Sequence, residues 1–250
     1  MTAINTALSN ITLGEAQAFA NLEITPLLAA TPGIADYLTL DEAQAEGLAV
    51  VTEVSESGSV PTLLLENNAD VSLFLLDGEE LIGAKQNRIL NLSLLVAANT
   101  RLEIPVSCVE QGRWSHRSRE FDSADRAFFS RGRARKAEQV SRDMAMFGSR
   151  GADQMAVWSD IECKMDSMAV NSDTAAIADV YEHFSTPVDE YVEAFQVGDT
   201  QVGACFSING EIRGMELFDV SSTCNKLMPK LIRSYALDAI DEQQPAPTAT

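Results

Sequence analysis

The chain has 250 residues, 46% of them hydrophobic, and a formal net charge of -19 at pH 7. This much apolar sequence can fill a packed core. The negative charge excludes non-specific nucleic-acid binding as an expected function, because such binding neutralises many phosphates with Lys and Arg. The chain contains no apolar run of about 18 residues and no secretory signal pattern, so we expect no membrane partner and a cytoplasmic location.

Cysteine and histidine usage narrows the chemistry further. Only two histidines are present, which excludes a histidine-rich metal centre, and no metal site is predicted. The sequence indicates no particular cofactor. The four cysteines stand alone at wide intervals, without the spacing of a disulfide framework or a paired metal site, so we expect reduced thiols. They are Cys108, Cys163, Cys205 and Cys224.

The first half of the chain is predicted to form mainly strands. A strand is expected over residues 22–28, followed by a short helix that begins near Thr39, with Glu42 at the spacing of a capping box. From residue 48 to 107, apolar and β-branched runs alternate with turn clusters, which indicates a mainly antiparallel sheet or sandwich. Within it, the pair Asp77-Gly78 predicts a tight hairpin.

The second half is predicted to be mainly helical. Residues 123–168 and 173–195 carry apolar residues at helical spacing. The pair Asn209-Gly210 between two apolar runs predicts a late β-hairpin. A closing helix is expected over residues 227–240, so the predicted fold class is α+β, with strands in the N-terminal half, helices in the C-terminal half and the late hairpin.

We predict a single domain over residues 1–242 and a disordered tail over residues 243–250, because the tail is polar and contains proline. The alternative is a β domain that ends near residue 112 and a helical domain after it. A late hairpin that returns to the first sheet would favour the single domain.

Positive charge is concentrated in one segment. Half of the 18 lysine and arginine residues lie between residues 113 and 142. One interpretation is a solvated, arginine-rich helix paired with acidic neighbours. The other is a local positive potential that attracts a small anion to an otherwise negative molecule.

Two polar runs interrupt the strand-forming region, one over residues 77–91 and one over residues 104–116. Burial of unpaired charges and amides is costly, so these groups lie at the surface, satisfy one another or face a ligand. We expect β pairing to bring the two runs together as one pocket. Arg113 is suited to phosphate or carboxylate, and Trp114 offers a flat face for a base or ribose. The predicted ligand-binding residues are Lys85, Gln86, Asn87, Arg88, Gln111, Arg113 and Trp114.

Three residues are candidates for catalysis. Glu80 and Glu110 lie at the ends or turns of predicted strands, where one carboxyl group can act as acid and another as base, although such glutamates also simply solvate turns. Cys108 is a candidate nucleophile among polar neighbours, but a lone cysteine in a strand also serves as a small buried hydrophobe. His116 is either a general base or a surface histidine.

Several motifs resemble those of a known family. They are residues 53–61 (EVSESGSVP), residues 76–91 (LDGEELIGAKQNRILN), residues 104–114 (IPVSCVEQGRW) and residues 234–239 (SYALDA). The chain resembles, from about residue 14 to 240, the ARG and rhodanese-phosphatase-superfamily-associated proteins of the first type, where ARG denotes ADP-ribosylglycohydrolase. The resemblance implies an association with ADP-ribose or NAD-derived metabolites, and it assigns no catalytic residues.

The sequence thus predicts a protein that binds or processes a small phosphorylated metabolite, with ADP-ribose and NAD-derived compounds as candidates. The alternative is a non-catalytic sensor or protein-interaction domain. Whether turnover occurs, and whether a homo-oligomer or a protein partner forms, stays open.

Overall fold

The computed structural model describes residue 5 and residues 8–243 of the chain. It shows an α+β protein with antiparallel sheets, helices in the C-terminal half and a late β-hairpin, which confirms the predicted fold class. The predicted disordered tail lies outside the described residues, apart from Gln243. No helix in the described part of the chain is long and apolar enough to cross a membrane.

The chain forms two compact units, one from residues 1–34 together with 184–250, and one from residues 35–183. The prediction of a single domain over residues 1–242 stays a prediction. The elements of the first unit are β1 (Thr12–Leu13), β2 (Gln17–Phe19), β3 (Leu22–Leu28), α5 (Ser185–Ala194), β13 (Gln201–Ile208), β14 (Glu211–Leu217) and α6 (Ser221–Asp241).

The first unit is an antiparallel sheet covered by helices. Its strand order is β1-β3-β13-β14, and β2 also pairs with β3. The predicted strand over residues 22–28 and the hairpin at Asn209-Gly210 are both confirmed, and both turn residues have the positive φ angles that a tight hairpin needs. Helix α6 packs on β13, where Tyr235 stacks on Phe206 with ring centroids 3.9 Å apart.

The second unit contains the predicted polar runs. Its elements are β4 (Tyr37–Thr39), α1 (Leu40–Ala45), β5 (Ala49–Glu53), β6 (Thr62–Asn67), β7 (Ser72–Leu75), β8 (Glu79–Gly83), β9 (Arg88–Leu90), β10 (Leu94–Val96), β11 (Thr100–Cys108), β12 (Glu120–Ala127), α2 (Ser130–Phe147), α3 (Gln154–Ser167) and α4 (Ile177–His183).

Six strands of this unit close into a barrel in the order β11-β6-β5-β12-β8-β9, and all of these pairs are antiparallel. A separate sheet has the order β10-β7-β4, in which β4 and β7 are parallel. Alternation along the strands buries one set of side chains in a common core, as in β6, where Leu63 and Leu65 are fully buried. The barrel places β8, β9 and the end of β11 side by side.

The short helix predicted near Thr39 is confirmed as α1. Thr39 accepts a hydrogen bond from the backbone N–H of Glu42 at 3.4 Å, and the Glu42 carboxylate accepts one from the backbone N–H of Thr39 at 2.9 Å. These two bonds are the predicted capping box.

The hairpin predicted at Asp77-Gly78 is wrong. Strands β7 and β8 flank this pair but do not pair with each other, since β7 pairs with β4 and β10 whereas β8 pairs with β9 and β12. Gly78 does have a positive φ of 75°, and a side chain there would lie 2.7 Å from Cγ of Arg133. The turn is therefore a packing site for α2. The predicted start of the helical region at residue 123 is also wrong, because residues 123–127 continue β12.

Candidate functional site

The register of three neighbouring strands brings the two polar runs together. Leu81 of β8 pairs with Arg88 of β9, and Arg88 pairs in turn with Cys108 of β11. Past the end of β11, the backbone N–H of Val109 donates to the carbonyl of Asn87 at 3.1 Å. The predicted meeting of residues 77–91 with residues 104–116 is therefore seen in the structure.

Much of this polar cluster is buried and internally paired. Arg113 Nη2 donates to Glu110 Oε2 at 2.6 Å and to Asn87 Oδ1 at 3.2 Å. Asn87 Nδ2 donates to Glu80 Oε1 at 3.1 Å, and Arg126 Nε donates to Glu80 Oε2 at 2.6 Å. All but Arg126 are almost fully buried, and the hydrogen bonds join these side chains into one continuous network. Such a network fixes the geometry of the two runs.

Glu110 is held in its ionised form. Burial raises the pKa of Glu110, but hydrogen bonds from Arg113 and from the backbone N–H of Asn87, with the charges of Arg113 and Arg117, outweigh burial and leave the pKa below its ordinary value. Thr174 Oγ1 also donates to the other carboxylate oxygen of Glu110, Oε1, at 3.3 Å. Glu110 is therefore a carboxylate at neutral pH, which suits a base or an electrostatic role better than an acid.

Cys108 lies in the interior of the same cluster. Its side chain is fully buried, and the thiol donates to Oε1 of Gln86 at 3.1 Å and to the carbonyl of Glu110 at 3.3 Å. Burial raises the pKa of the Cys108 thiol above its ordinary value, although the hydrogen bond with the Glu110 backbone acts in the opposite direction. Its predicted nucleophilic role stays a prediction, and its surroundings are those of a buried thiol.

An open cleft of about 850 Å³ lies beside the network. It is lined by a segment rich in basic residues, 116–119, and by the end of β5 with the turn after it. The lining residues are Thr52, Glu53, Ser55, Glu56, His116, Arg117, Ser118 and Arg119. Arg117 also approaches Glu110 Oε1 at 3.8 Å, which connects the cleft to the network.

Trp114 and Lys85 lie close to the same turn. Trp114 is 48% exposed, and Lys85 Nζ lies 5.3 Å from the centroid of its ring. Lys85 Nζ also donates to the carbonyl of Glu56 at 2.5 Å. Gly58, with φ of 77°, packs so closely that a side chain there would lie 3.3 Å from Trp114 and 3.2 Å from Glu53 Oε2. Lys85 and Trp114 thus pack against each other and against the turn that follows β5.

Sequence reasoning missed Glu53, Arg117 and Arg119 as cleft residues. Glu53 is the first residue of the motif over residues 53–61, and the two arginines belong to the positively charged segment over residues 113–142. The sequence therefore contained a signal for each of them. What was missing was the pairing of β5 with β12, which brings them together. Of the predicted residues, Gln111 instead lines a second cavity of about 430 Å³, together with Trp158 and Glu162.

Among residue 5 and residues 8–243, no group of three or more His, Cys, Asp and Glu side chains is arranged to hold a metal ion. The acidic residues of the cluster are instead directed at arginine and amide groups. The site therefore combines a cleft lined by arginine, histidine and acidic residues with a buried ion-pair network.

The fold and the site together define an α+β protein with a cleft lined by arginine and acidic side chains next to a strand barrel. Residues 10–250 match the ARPP-1 family model, the ARG and Rhodanese-Phosphatase-superfamily-associated Protein domain. The chain belongs to this family, as its sequence motifs indicated. No curated protein and no solved structure matches the chain.

Proposed function

We propose that this protein binds a small phosphorylated metabolite of the ADP-ribose or NAD-derived type in the cleft beside β5 and β12. The observation that carries the proposal is the composition of the cleft wall, on which Arg117, Arg119 and His116 face the same space as Glu53. Guanidinium groups bind phosphate through paired charge-assisted hydrogen bonds, and a carboxylate accepts hydrogen bonds from hydroxyls. A phosphorylated sugar offers both groups.

Three further observations support the proposal. The side chain of Arg117 is 62% exposed, so its guanidinium is accessible to a ligand. The rest of the molecule is strongly negative, and a local cluster of basic residues in such a molecule attracts small anions to one place. The family's name associates it with ADP-ribosylglycohydrolases, which agrees with this ligand class. We also propose a cytoplasmic location, as expected from the sequence.

Calorimetric titration with ADP-ribose, NAD and ribose 5-phosphate tests the proposal. We expect saturable binding of at least one compound, weaker binding at high salt, and a loss of about tenfold or more in affinity for Arg117→Ala, because a hydrogen bond to a charged group is removed. Arg142→Ala is the matched control, since Arg142 is an exposed arginine of α2 that pairs with Glu138. Absence of heat with every compound would overturn the proposal.

A second candidate is binding without turnover, as in a sensor. It is favoured by the pairing of the two predicted catalytic carboxylates, because Glu80 is already bonded to Arg126 and Glu110 to Arg113. Incubation of the protein with each bound compound, followed by chromatography of the mixture, distinguishes the two. Unchanged compound supports the sensor, whereas released products support an enzyme.

A further inference from the structure

Glu53 has an unusual environment for a carboxylate. It ends strand β5 and lines the cleft, and both of its carboxylate oxygens are buried. Neither oxygen has a hydrogen-bond partner among the described residues. Burial of an unpaired carboxylate is unfavourable, and it is relieved when a hydrogen-bond donor arrives. Glu53 is therefore poised to accept hydrogen bonds from a ligand.

Arg88 is the complementary group. Its side chain is fully buried, and Nη1 donates to the carbonyl and to the side-chain oxygen of Gln86, each at 3.1 Å. Its Nε and Nη2 groups have no hydrogen-bond partner in the described part of the chain. Burial lowers the pKa of Arg88, and the negative charge of Glu53 is among the influences that raise it. The two side chains thus affect each other electrostatically, yet they form no hydrogen bond.

The surroundings of the two groups supply an apolar face. The ring centroid of Trp114 lies 5.7 Å from Cζ of Arg88. Gly58 lies between Glu53 and Trp114, since a side chain there would contact both at 3.2–3.3 Å. The unpaired acceptor of Glu53 and the unpaired donor groups of Arg88 therefore both lie close to the ring of Trp114, with Glu53 among the residues that line the cleft and Arg88 fully buried.

We propose that Glu53 and Arg88 form a subsite that recognises the vicinal hydroxyls of a sugar phosphate, so that a ribose is selected over a deoxyribose. A hydroxyl donates one hydrogen bond and accepts others, so a vicinal diol satisfies the carboxylate of Glu53 and the free N–H groups of Arg88 together. A phosphate group is repelled by Glu53, and it is held instead by Arg117 and Arg119 at the rim. This inference rests on the proposed function and specifies which part of the ligand enters this subsite.

The test compares two ligands that differ in one hydroxyl. Ribose 5-phosphate and 2-deoxyribose 5-phosphate are titrated into the wild-type protein by calorimetry, with inorganic phosphate as a third ligand. We expect ribose 5-phosphate to bind about tenfold or more tightly than the deoxy sugar, because one hydrogen bond to a charged group is lost. Equal affinity for the two sugars overturns the subsite while leaving the proposed function in place.

The variant Glu53→Gln tests the assignment to that side chain. It keeps the size of the side chain and removes its charge, so we expect the preference for ribose to fall to about twofold or less while inorganic phosphate still binds. Glu66→Gln is the charge-matched control, because Glu66 lies on β6 and pairs with the exposed Arg101. A folded Glu53→Gln protein that keeps the full preference overturns the inference. If that variant does not fold, the affinities of the wild-type protein for the two sugar phosphates decide whether the subsite exists. Absence of binding by every ligand overturns both the inference and the proposed function.

Discussion

At the scale of single residues, the ion pair between Glu110 and Arg113 is the central interaction of the polar cluster. Both side chains are buried, and their charged atoms are 2.6 Å apart. A buried pair of this kind adds little compared with an apolar pair, but removal of one partner leaves an uncompensated charge. The pair therefore fixes the geometry of the site more than it stabilises the fold.

We predict that Glu110→Gln lowers the free energy of unfolding by about 3–5 kcal/mol at neutral pH. The folded pKa of Glu110 lies below the ordinary value of 4.5. Its contribution is therefore fully present above the unfolded pKa and is lost as the pH falls through the folded pKa. Urea unfolding between neutral and acidic pH should show a smaller acid-induced loss in the variant than in the wild type.

Glu66→Gln serves as the control for this measurement. The Glu66–Arg101 pair is solvent-exposed, so its loss should cost less than about 1 kcal/mol. An equal effect of the two substitutions, or an unchanged acid dependence in Glu110→Gln, would contradict the structural account of the buried pair.

The thiol of Cys108 gives a second prediction at this scale. Burial and a raised pKa keep it protonated and inaccessible, so iodoacetamide at neutral pH should leave Cys108 unlabelled in the folded protein. Cys163 is exposed and should be labelled under the same conditions. Mass spectrometry of peptides identifies the labelled sites. Stoichiometric labelling of Cys108 in the native state would instead support its candidate role as a nucleophile.

At the scale of secondary structure, the close approach of β8 to β12 depends on one glycine. Gly83 pairs with Phe121, and its φ is 141°. A side chain at this position would lie 2.4 Å from the backbone oxygen of Glu120, which cannot move without breaking the sheet. The carbonyl of Gly83 also accepts a hydrogen bond from Arg113 at 3.3 Å, so this position links the barrel to the site.

We predict that Gly83→Ala lowers the free energy of unfolding by about 3 kcal/mol or more, because strain in the backbone adds to a steric clash. Gly47→Ala is the matched control, since Gly47 also has a positive φ, of 71°, but a side chain there meets no atom within 4 Å. Its cost should be about 1 kcal/mol. Thermal and urea unfolding measure both values, and equal losses would show that the close contact is unimportant.

Local signals predicted several elements correctly for identifiable reasons. The capping box at Thr39 and the Asn209-Gly210 turn depend only on residues that are neighbours in sequence. Their side chains and preferred backbone angles can therefore be read from the sequence. Asp77-Gly78 carries the same kind of signal, yet the strands on either side pair elsewhere. A turn sequence thus specifies the turn, whereas long-range pairing specifies whether a hairpin forms.

At the scale of the whole molecule, the first compact unit is built from two separate stretches of the chain. The chain leaves this unit after Ile34 and returns to it at Phe184. Strand β3 from the first segment pairs with β13 from the second, so this sheet cannot form until the two segments meet. The entropy cost of that closure falls when the intervening residues are folded.

We therefore expect one cooperative thermal transition, in agreement with the prediction of a single domain over residues 1–242. Differential scanning calorimetry should give equal calorimetric and van't Hoff enthalpies. Circular dichroism and tryptophan fluorescence should report the same midpoint, because both tryptophans lie between residues 35 and 183 while the helices are spread over both units. Two separated transitions would contradict the single-domain prediction.

The sequence by itself determined the fold class, the family and the two polar runs, because hydrophobic periodicity, turn chemistry and motif content are local properties of the chain. Only the tertiary structure decided how the polar groups are used. Glu110 and Arg113 neutralise each other, whereas Glu53 and Arg88 keep buried groups that have no hydrogen-bond partner among the described residues. Glu110 and Arg113 are only three residues apart, but Glu53 and Arg88 lie on β5 and β9, which do not pair with each other. The strand order of the barrel therefore decides the surroundings of Glu53 and Arg88, and that order is set by contacts between residues far apart in sequence.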